Sequence, residues 1–301
     1  MISYRVPEDL TEMPVRSFLR QIGISTTHWK KVKFSGNFRC NGEIITHPAR
    51  LMVSGGDVIS WELAEATQVT PEALPLDIRY EDEFLLIVNK PCGQLVHPTH
   101  REVTGTLANA VLGYYAVQGI SAAFHPVHRL DRNTTGLVLI AKEPQLHHQL
   151  SPRGKKLFNR EYLAIIHGTL SPSSGRIDAP IARDPESIIR RCVSQDGQWA
   201  VTHYETLKAS DAMSLLKVRL ETGRTHQIRV HFSHLGHPLV GDDLYGGTRE
   251  YIGRQALHAF HLAFPHPVTG EHISVTADMP EDMDALLKRL DDRTSLSKHQ
   301  F

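Results

Sequence analysis

The stretch HRLDRNTTGLVLIAK, residues 128–142, decides how this chain is expected to fold and where its chemistry is expected to lie. From Gly136 onward it is a short run of β-branched and other apolar residues, which is typical of a buried strand. Asp131 precedes that strand in a loop of basic and hydroxyl residues, where the adjacent core could hold a catalytic carboxylate in place. A structural role is equally open at this point, since Asp131 could cap the following turn or pair with Arg129 or Arg132.

Size and composition are those of a globular protein with one large domain and one small one. The chain has 301 residues, of which 41% are hydrophobic and 22% are charged. No run approaches the ~20 apolar residues of a membrane helix, and the amino terminus lacks an apolar signal core, so we expect a cytoplasmic protein. Three separated cysteines, Cys40, Cys92 and Cys192, predict neither disulfides nor a thiolate metal site.

The charges are unevenly distributed along the chain. Their formal sum is zero, from 33 Lys and Arg against 33 Asp and Glu, which by itself argues against a nucleic-acid partner. However, residues 128–176 hold eight Lys and Arg against three acids, whereas residues 278–293 hold six acids against three Lys and Arg. The neutral total therefore combines a basic region, which suits an anionic substrate, with an acidic tail.

Residues 1–66 are expected to form a small basic module of helices and short strands. Four apolar residues with helical spacing predict a first helix that stops at Gly23. They are Val15, Phe18, Leu19 and Ile22. Ser25 is expected to cap a second helix, which carries three lysines, and short strands are expected around residues 37–45 and 58–63. Residues 64–75 contain two prolines and small or polar side chains, so we interpret 67–75 as a linker.

Residues 76–301 are expected to form one catalytic domain of the α+β class. Short strands outnumber helices there, which predicts a large, mainly antiparallel mixed sheet with flanking helices and loops. The expected strands are residues 84–88, 136–141, 162–167, 202–209, 214–220, 226–230 and 272–277. The expected helices are residues 107–117, 144–150 and 282–290.

Four further segments, residues 76–98, 159–168, 220–231 and 236–247, are too polar to be simple connections. If part of the third segment is a strand, alternation places Arg224 on one face and Arg229 on the other. An arginine that reached Asp131 would favour its ionised form. Either arginine taken alone is equally compatible with an ordinary surface position.

Other classes of enzyme find little support in the motifs. Four histidines between residues 226 and 237 suggest a metal site, but no H-E-x-x-H or C-x-x-C spacing accompanies them. A G-x-S-x-G elbow and a phosphate-binding P-loop are both absent from the sequence. We therefore expect no metal and no cofactor, and a histidine-rich metalloenzyme stays only as an alternative.

Taken together, these segments resemble the RNA pseudouridine synthases, in particular the branch that acts on large-subunit ribosomal RNA and transfer RNA. The shared motifs, in the same order, are NKPCGQLVHP, HRLDRNTTG, EYLA and TGRTHQIRVH, within roughly residues 76–290. Thr135 stands at a position of the HRLD motif where serine is commoner. The amino-terminal module resembles a small αL RNA-binding motif also found in a ribosomal small-subunit protein, with Pro14-Val15-Arg16 where that motif usually begins R-L-D.

The resemblance implies an isomerase that converts uridine to pseudouridine in structured ribosomal or transfer RNA without a cofactor. It implies that Asp131 is the catalytic carboxylate and that Arg229 pairs with it. It also implies that Tyr162 is an active-site residue that stacks on the base, with removal of the proton from C5 as a second possible role. Arg129 is expected to fill the space vacated by the flipped nucleotide and to engage the phosphate backbone, and Arg224 to contact RNA phosphate or the pocket wall. Further substrate contacts are expected from His128, Thr134 and Gln227. We expect a monomer, and a catalytically silent RNA-binding or ribosome-assembly protein on the same fold is the alternative.

Overall fold

The computed structural model of the chain describes residues 2–24, 26–34, 37–61, 69–151 and 157–296. The predicted cap at Ser25, the end of the strand expected at residues 58–63, the residues 64–68 before or within the linker, and the last five residues of the chain lie outside the described residues. None of the helices in these ranges combines the length and the apolar character needed to cross a membrane.

Six helices and eighteen strands are found in the described ranges. The helices are α1 (Val15–Gln21), α2 (Thr26–Phe34), α3 (Leu107–Gln118), α4 (Pro144–Leu150), α5 (Gln227–His234) and α6 (Glu281–Leu296). The strands are β1 (Ile2–Arg5), β2 (Met13–Pro14), β3 (Arg39–Cys40), β4 (Glu43–Ile44), β5 (Met52–Val53), β6 (Val58–Trp61), β7 (Ile78–Glu81), β8 (Leu85–Lys90), β9 (His125–Pro126), β10 (Thr135–Ala141), β11 (Asn159–His167), β12 (Ser174–Asp178), β13 (Ile181–Arg183), β14 (Arg191–Val193), β15 (Val201–Ala209), β16 (Met213–Leu220), β17 (Leu257–Pro265) and β18 (His272–Thr276).

A ten-stranded sheet forms the centre of the large domain and confirms the expected α+β class. Eight strands follow the order β12-β15-β16-β11-β17-β10-β8-β7, while β18 pairs with β17 and β9 pairs with β10. Among the described ladders of this sheet, only β10 and β17 run parallel. Gly136 lies at that junction with φ 114°, and a Cβ there would fall 2.2 Å from the carbonyl oxygen of Ala259. Only glycine allows so close an approach of the two backbones.

The continuous apolar run after Gly136 is explained by burial on both faces of the sheet. In β10, Val138 and Ile140 belong to one core cluster, whereas Leu137 and Leu139 belong to the cluster on the opposite face. Burial of each large aliphatic side chain contributes roughly 1.5–3 kcal/mol. The strand that follows the Asp131 loop is therefore a rigid support, as the sequence predicts.

The helix predicted at residues 107–117 is confirmed as α3, which begins with a capping box formed by Thr106 and Asn109. The described part of the expected linker lies against this helix. The carboxylate of Glu72 accepts a hydrogen bond from the Gly105 N–H, and a Cβ on Gly113 would fall 2.0 Å from the Glu72 carbonyl oxygen. Residues 69–75 are thus packed on the large domain.

The amino-terminal module has a core of its own, in which Trp61 stacks on Tyr4 and Phe38. Its sheet has the strand order β1-β6-β3-β4, with a turn at Asn41-Gly42 between β3 and β4. The module contacts the large domain at α4, where the Gln149 side-chain amide donates a hydrogen bond of 3.2 Å to the Ile22 carbonyl.

The strand predicted at residues 226–230 is wrong, because this segment begins the helix α5. The alternation of polar side chains with Ile228 and Val230 favoured a strand with one exposed face. However, residues 227–232 are all buried, so the polar side chains of this segment are not exposed ones. The predicted separation of Arg224 and Arg229 onto two strand faces is therefore also wrong. The central strand β17 was not predicted at all, because histidines interrupt its apolar pattern.

Candidate active site

A cavity of about 360 Å³ opens between the Asp131 loop, the start of β11 and the start of α5. Its volume lies within the usual range of ~300–1,000 Å³ for small-molecule sites. Among the described residues that line it, Asp131 is the only carboxylate, whereas four arginines and four histidines contribute. They are Arg129, Arg160, Arg224, Arg229, His97, His128, His147 and His226. The cavity is thus a cationic recess around a single acid.

The loop that carries Asp131 is pinned at both ends. The Thr134 N–H donates to the Asp131 carbonyl at 3.1 Å and closes a turn directly before β10. At the other end, His128 is buried and its Nε2 accepts the Leu139 N–H at 3.2 Å. The Lys90 ammonium adds a third tie by donating to the carbonyl of Arg132 and to two carbonyls of its own turn. Burial lowers the pKa of this lysine to about 7.

Asp131 itself meets two cationic or polar groups. Nη1 of Arg229 donates to Oδ2 of Asp131 at 3.1 Å, and Nε2 of His226 lies 3.8 Å from the same oxygen. Oδ1 has no hydrogen-bond partner among the described residues. The side chain is 22% exposed, so the carboxylate is held in position yet remains open to the cavity.

Arg229 is fixed by a second acid, Asp242, on the loop after α5. Nε and Nη2 of Arg229 donate to the two carboxylate oxygens of Asp242 at 2.7 and 2.8 Å, a bidentate pair. The guanidinium also lies 4.9 Å from the ring centre of Tyr245. Burial works to lower the pKa of Arg229, but Asp242 and Asp131 outweigh it and hold the pKa above its ordinary value. A permanent positive charge therefore adjoins Asp131.

His226 has a constrained backbone and a constrained ring. Its φ of 59° lies in the left-handed region, which non-glycine residues rarely adopt. Its Nδ1 lies 2.7 Å from the Tyr245 hydroxyl, whose oxygen accepts the Arg191 N–H at 2.9 Å. This pattern favours the tautomer in which the tyrosine donates to Nδ1 and the proton on Nε2 faces Asp131. Burial lowers the pKa of His226 and outweighs the opposing effect of Asp131. The lowered pKa keeps the ring neutral at pH 7.

Tyr162 forms another wall of the cavity from the strand β11. It is 4% exposed, and it lies where the pairing of β11 with β17 shifts register. Burial raises the pKa of the phenol above its ordinary value, even though Arg160 is a hydrogen-bond partner that lowers it. The ring is therefore a neutral flat surface at pH 7, better suited to stacking than to removing a proton.

Comparison with known proteins agrees with this arrangement. A profile of the RNA pseudouridylate synthase family matches residues 84–234, which include Asp131, Tyr162 and Arg229. The chain belongs to this family.

Relatives and solved structures extend the match over the chain. A Bacillus subtilis protein described as the uncharacterized RNA pseudouridine synthase YjbO is 44% identical over 281 residues, covering 92% of this chain and 99% of that protein. Ribosomal large subunit pseudouridine synthase D of Zymomonas mobilis is 42% identical over 237 residues, covering 73% of this chain and 74% of that one. The structure of human RNA Pseudouridylate Synthase Domain Containing 4 matches with a TM-score of 0.58 at 26% identity, covering 71% of this chain and 93% of that one. The protein is thus an RNA pseudouridine synthase, an isomerase.

The predicted site residues of this synthase converge on one cavity, although they do not share one function. Arg129 is exposed at the cavity, next to Asp131. Arg224 is half-buried and donates to the carbonyl of Trp199 and the side chain of Gln198 at 2.9 and 3.1 Å. Thr134 is buried, and its hydroxyl accepts a hydrogen bond from Gln255. Substrate contacts by these three residues stay predictions.

Gln227 and His128 line the cavity and also have hydrogen-bond partners within the protein. Gln227 is 3% exposed, and all four of its side-chain hydrogen-bonding positions have protein partners. These partners are Val201 O, Thr202 Oγ1, Thr222 Oγ1 and Arg224 N. The amide of Gln227 therefore holds the turn before α5, and a substrate contact by this residue stays a prediction. The ring of His128 likewise ties the Asp131 loop to β10.

The site contains residues that the sequence reasoning missed. Asp242, the second partner of Arg229, is one of two adjacent acids in the glycine-bounded segment 236–247, and its neighbour Asp243 is exposed. Only the contact with Arg229 distinguishes Asp242 from Asp243. Arg160 also lines the cavity, and its place two residues before Tyr162 on a strand was the available signal.

The histidines considered for a metal site have separate partners. His231 lies within 2.9 Å of Thr202 Oγ1 and of the Ala179 carbonyl, and His237 lies within 2.9 Å of the His167 carbonyl. Within the described ranges no group of three His, Cys, Asp or Glu side chains is placed to hold a metal ion.

Proposed function

We propose that this synthase isomerises uridine in structured RNA with Asp131 as its catalytic carboxylate. The observation that carries the assignment is that Asp131 is the single acid among the described lining residues, and that a buried, doubly anchored arginine holds it at 3.1 Å. A strongly constrained acid in a recess with cationic walls is typical of a catalytic group.

The reaction needs little beyond such an acid. Formation of pseudouridine breaks the bond from ribose C1′ to uracil N1 and joins C1′ to C5, while C5 loses a proton and N1 gains one. Because the product has the same composition as the substrate, the reaction consumes no oxidant, reductant or group donor, which supports a cofactor-free enzyme. Asp131 can act either as nucleophile or as base toward the ribose, since Oδ2 is fixed by Arg229 and Oδ1 has no hydrogen-bond partner among the described residues.

The RNA must present its uridine outside the helical stack. Extrusion of a base costs a few kcal/mol, which other contacts have to offset. Arg129, exposed beside the cavity, is suited to occupy the vacated space and to contact phosphate, and the buried ring of Tyr162 is suited to stack on the uracil.

For the domains of the chain we propose the boundaries that the sequence suggests. We assign residues 1–66 to an RNA-binding module, 67–75 to the connection, and 76–301 to catalysis. The separate core of the module and its contact with α4 support this division. We further propose that the protein is a monomer that acts on RNA in the cytoplasm.

Release of tritium from RNA labelled at uracil C5 tests the catalytic assignment. We expect the wild-type protein to release tritium and Asp131→Asn to lose at least about 10³-fold in rate, because Asn is neither nucleophile nor base. Asp243→Asn, which changes an acid that is 57% exposed, is the matched control and should keep its activity. Rapid turnover by Asp131→Asn would contradict the assignment, and no release by the wild-type protein would favour a silent RNA-binding protein.

Large-subunit ribosomal RNA is the target that we propose, because the relatives named for an RNA target act on that subunit. Pseudouridine mapping across all RNA of a strain that lacks the gene tests this. We expect one or a few large-subunit sites to disappear and to return when the wild-type gene, but not the Asp131→Asn gene, is restored. Loss of a transfer RNA site alone would exclude this target while leaving the enzyme class intact.

A further inference from the structure

Arg160 is a buried cation in the wall of the cavity that the catalytic assignment does not use. It stands near the start of β11, two residues before Tyr162, so both side chains point to the same face of the sheet. Arg160 is only 4% exposed, yet it is among the residues that line the cavity.

The partners of Arg160 do not neutralise its charge. Nη2 donates to the Thr222 carbonyl at 3.0 Å, the Tyr162 hydroxyl is a further partner, and the guanidinium lies 5.3 Å from the ring centre of Phe158. Nε is buried and has no hydrogen-bond partner in the part of the chain that the structure describes. Within the described part of the chain, no carboxylate lies within ion-pair distance of Arg160. The neighbouring residues 152–156, Pro-Arg-Gly-Lys-Lys, contain no acid.

Two other buried arginines of this protein have the carboxylate partner that is not found for Arg160 among the described residues. Arg229 forms a bidentate pair with Asp242, and Arg254, which is also 4% exposed, forms one with Asp282. A buried charge is costly unless an opposite charge accompanies it. Arg160 has no such partner among the described residues, and it borders the space that a nucleotide would enter.

We propose that Arg160 is an anion-binding residue that receives negative charge from the flipped nucleotide. The inference rests on the proposed function. Two parts of the nucleotide can supply this charge. One is its phosphodiester, which is charged throughout. The other is the uracil, because the electron pair of the broken C1′–N1 bond stays with the base and delocalises over N1, O2 and O4 until C5 attacks C1′. In both cases Arg160 acts by donating hydrogen bonds to the anion.

Thermal unfolding of the RNA-free protein provides the first test. Arg160→Met removes an uncompensated buried charge, so we expect the Tm to stay within about 2 °C of the wild-type value or to rise. Arg254→Met removes an equally buried arginine that has its carboxylate, and we expect a drop of several degrees. An equal drop for Arg160→Met would show a structural cation and overturn the proposal.

Kinetics and binding provide the second test and separate the two sources of charge. If uracil is the source, Arg160→Met lowers the single-turnover rate at least 100-fold, while the Kd for large-subunit ribosomal RNA from the deletion strain is unchanged. If the phosphodiester is the source, that Kd rises at least tenfold, and inorganic phosphate no longer raises the Tm as it does for the wild type. Arg249→Met, an exposed control, should change neither quantity.

The outcome that overturns the proposal is a change below threefold in both rate and Kd for Arg160→Met. Arg160→Lys separates charge from geometry, since it keeps the cation without the planar fork, and we expect it to recover part of the lost rate or affinity. Failure of the proposed function would appear differently, as a wild-type protein that releases no tritium. In that case the thermal and phosphate measurements still test Arg160.

Discussion

Asp131 and Asp242 share one arginine, and they differ in almost every other respect. Asp242 lies on the loop after α5, is 1% exposed, and uses both carboxylate oxygens on Arg229. Asp131 lies on the loop before β10, is 22% exposed, and gives Arg229 a single oxygen. The same cation therefore anchors one acid completely and the other only partly.

This difference separates stability from reactivity. An acid whose two oxygens are both occupied holds its arginine in place but has nothing left to offer a substrate. An acid with one fixed and one unpartnered oxygen is oriented and still reactive. Substitutions of Arg229, Asp242 and Asp131 should therefore rank differently by their effect on the free energy of unfolding and by their effect on the catalytic rate.

The largest loss of stability is expected for Arg229→Gln. This substitution leaves Asp242 buried without a positive partner, which costs about 3–5 kcal/mol. Activity should fall as well, because Asp131 loses its fixed partner. Denaturant unfolding measures the first effect and tritium release the second. Arg249→Gln, at an exposed ion pair, is the control and should change the free energy of unfolding by less than ~1 kcal/mol.

Asp242→Asn should cost less, about 2–3 kcal/mol, because Asn keeps one acceptor and Arg229 still pairs with Asp131. We expect the rate to fall by about 10- to 100-fold as the arginine loses its orientation. Asp243→Asn at the next position is the control. If Asp242→Asn were as stable as the wild type, Arg229 would not depend on the bidentate pair.

Tyr245→Phe should cost about 1–2 kcal/mol, since it removes the hydrogen bonds of the hydroxyl to Arg191 N–H and His226 Nδ1. The ring that lies over Arg229 is retained. Because His226 then loses the group that fixes its tautomer, we expect a several-fold fall in rate with unchanged RNA affinity. An unchanged rate would mean that the orientation of His226 does not matter for the chemistry.

The smallest change in stability is expected for Asp131→Asn, about 1 kcal/mol or less, although its loss of activity should be the largest of the four. Its single hydrogen bond at a partly exposed position contributes little, and Arg229 keeps Asp242. Measurement of the unfolding midpoint and of the rate for the same variant separates these two effects. A large drop in stability would show that Asp131 has a structural role like that of Asp242.

Local sequence patterns predicted those parts of the fold in which burial and pattern agree. The run after Gly136 became β10, and the segment 144–150 became α4. In contrast, α5 contains buried Gln227, Arg229 and His231, each held by side-chain partners that no local pattern reveals. A short alternating segment fits strand and helix equally well, and here tertiary contacts decided for helix.

Those site residues that belong to sequence motifs could be predicted, and those outside the motifs could not. The HRLD and TGRTHQIR motifs pointed to Asp131 and Arg229, and the structure brings these residues into contact. Asp242 could not be separated from Asp243 in sequence, since the two differ only in which one reaches Arg229. Arg160 was not recognised because the feature that singles it out, a missing carboxylate, exists only in three dimensions.

The parallel junction of β10 and β17 has a consequence for the order of folding. The junction joins distant parts of the chain, as between Thr135 and His258, 123 residues apart, and β17 also pairs with the distant strand β11, as between Asn159 and Ala263. Closing so long a loop is slow. The Asp131 loop and the strands on the β17 side meet at this junction, so we expect enzymatic activity to be among the last properties regained when the unfolded chain is allowed to refold.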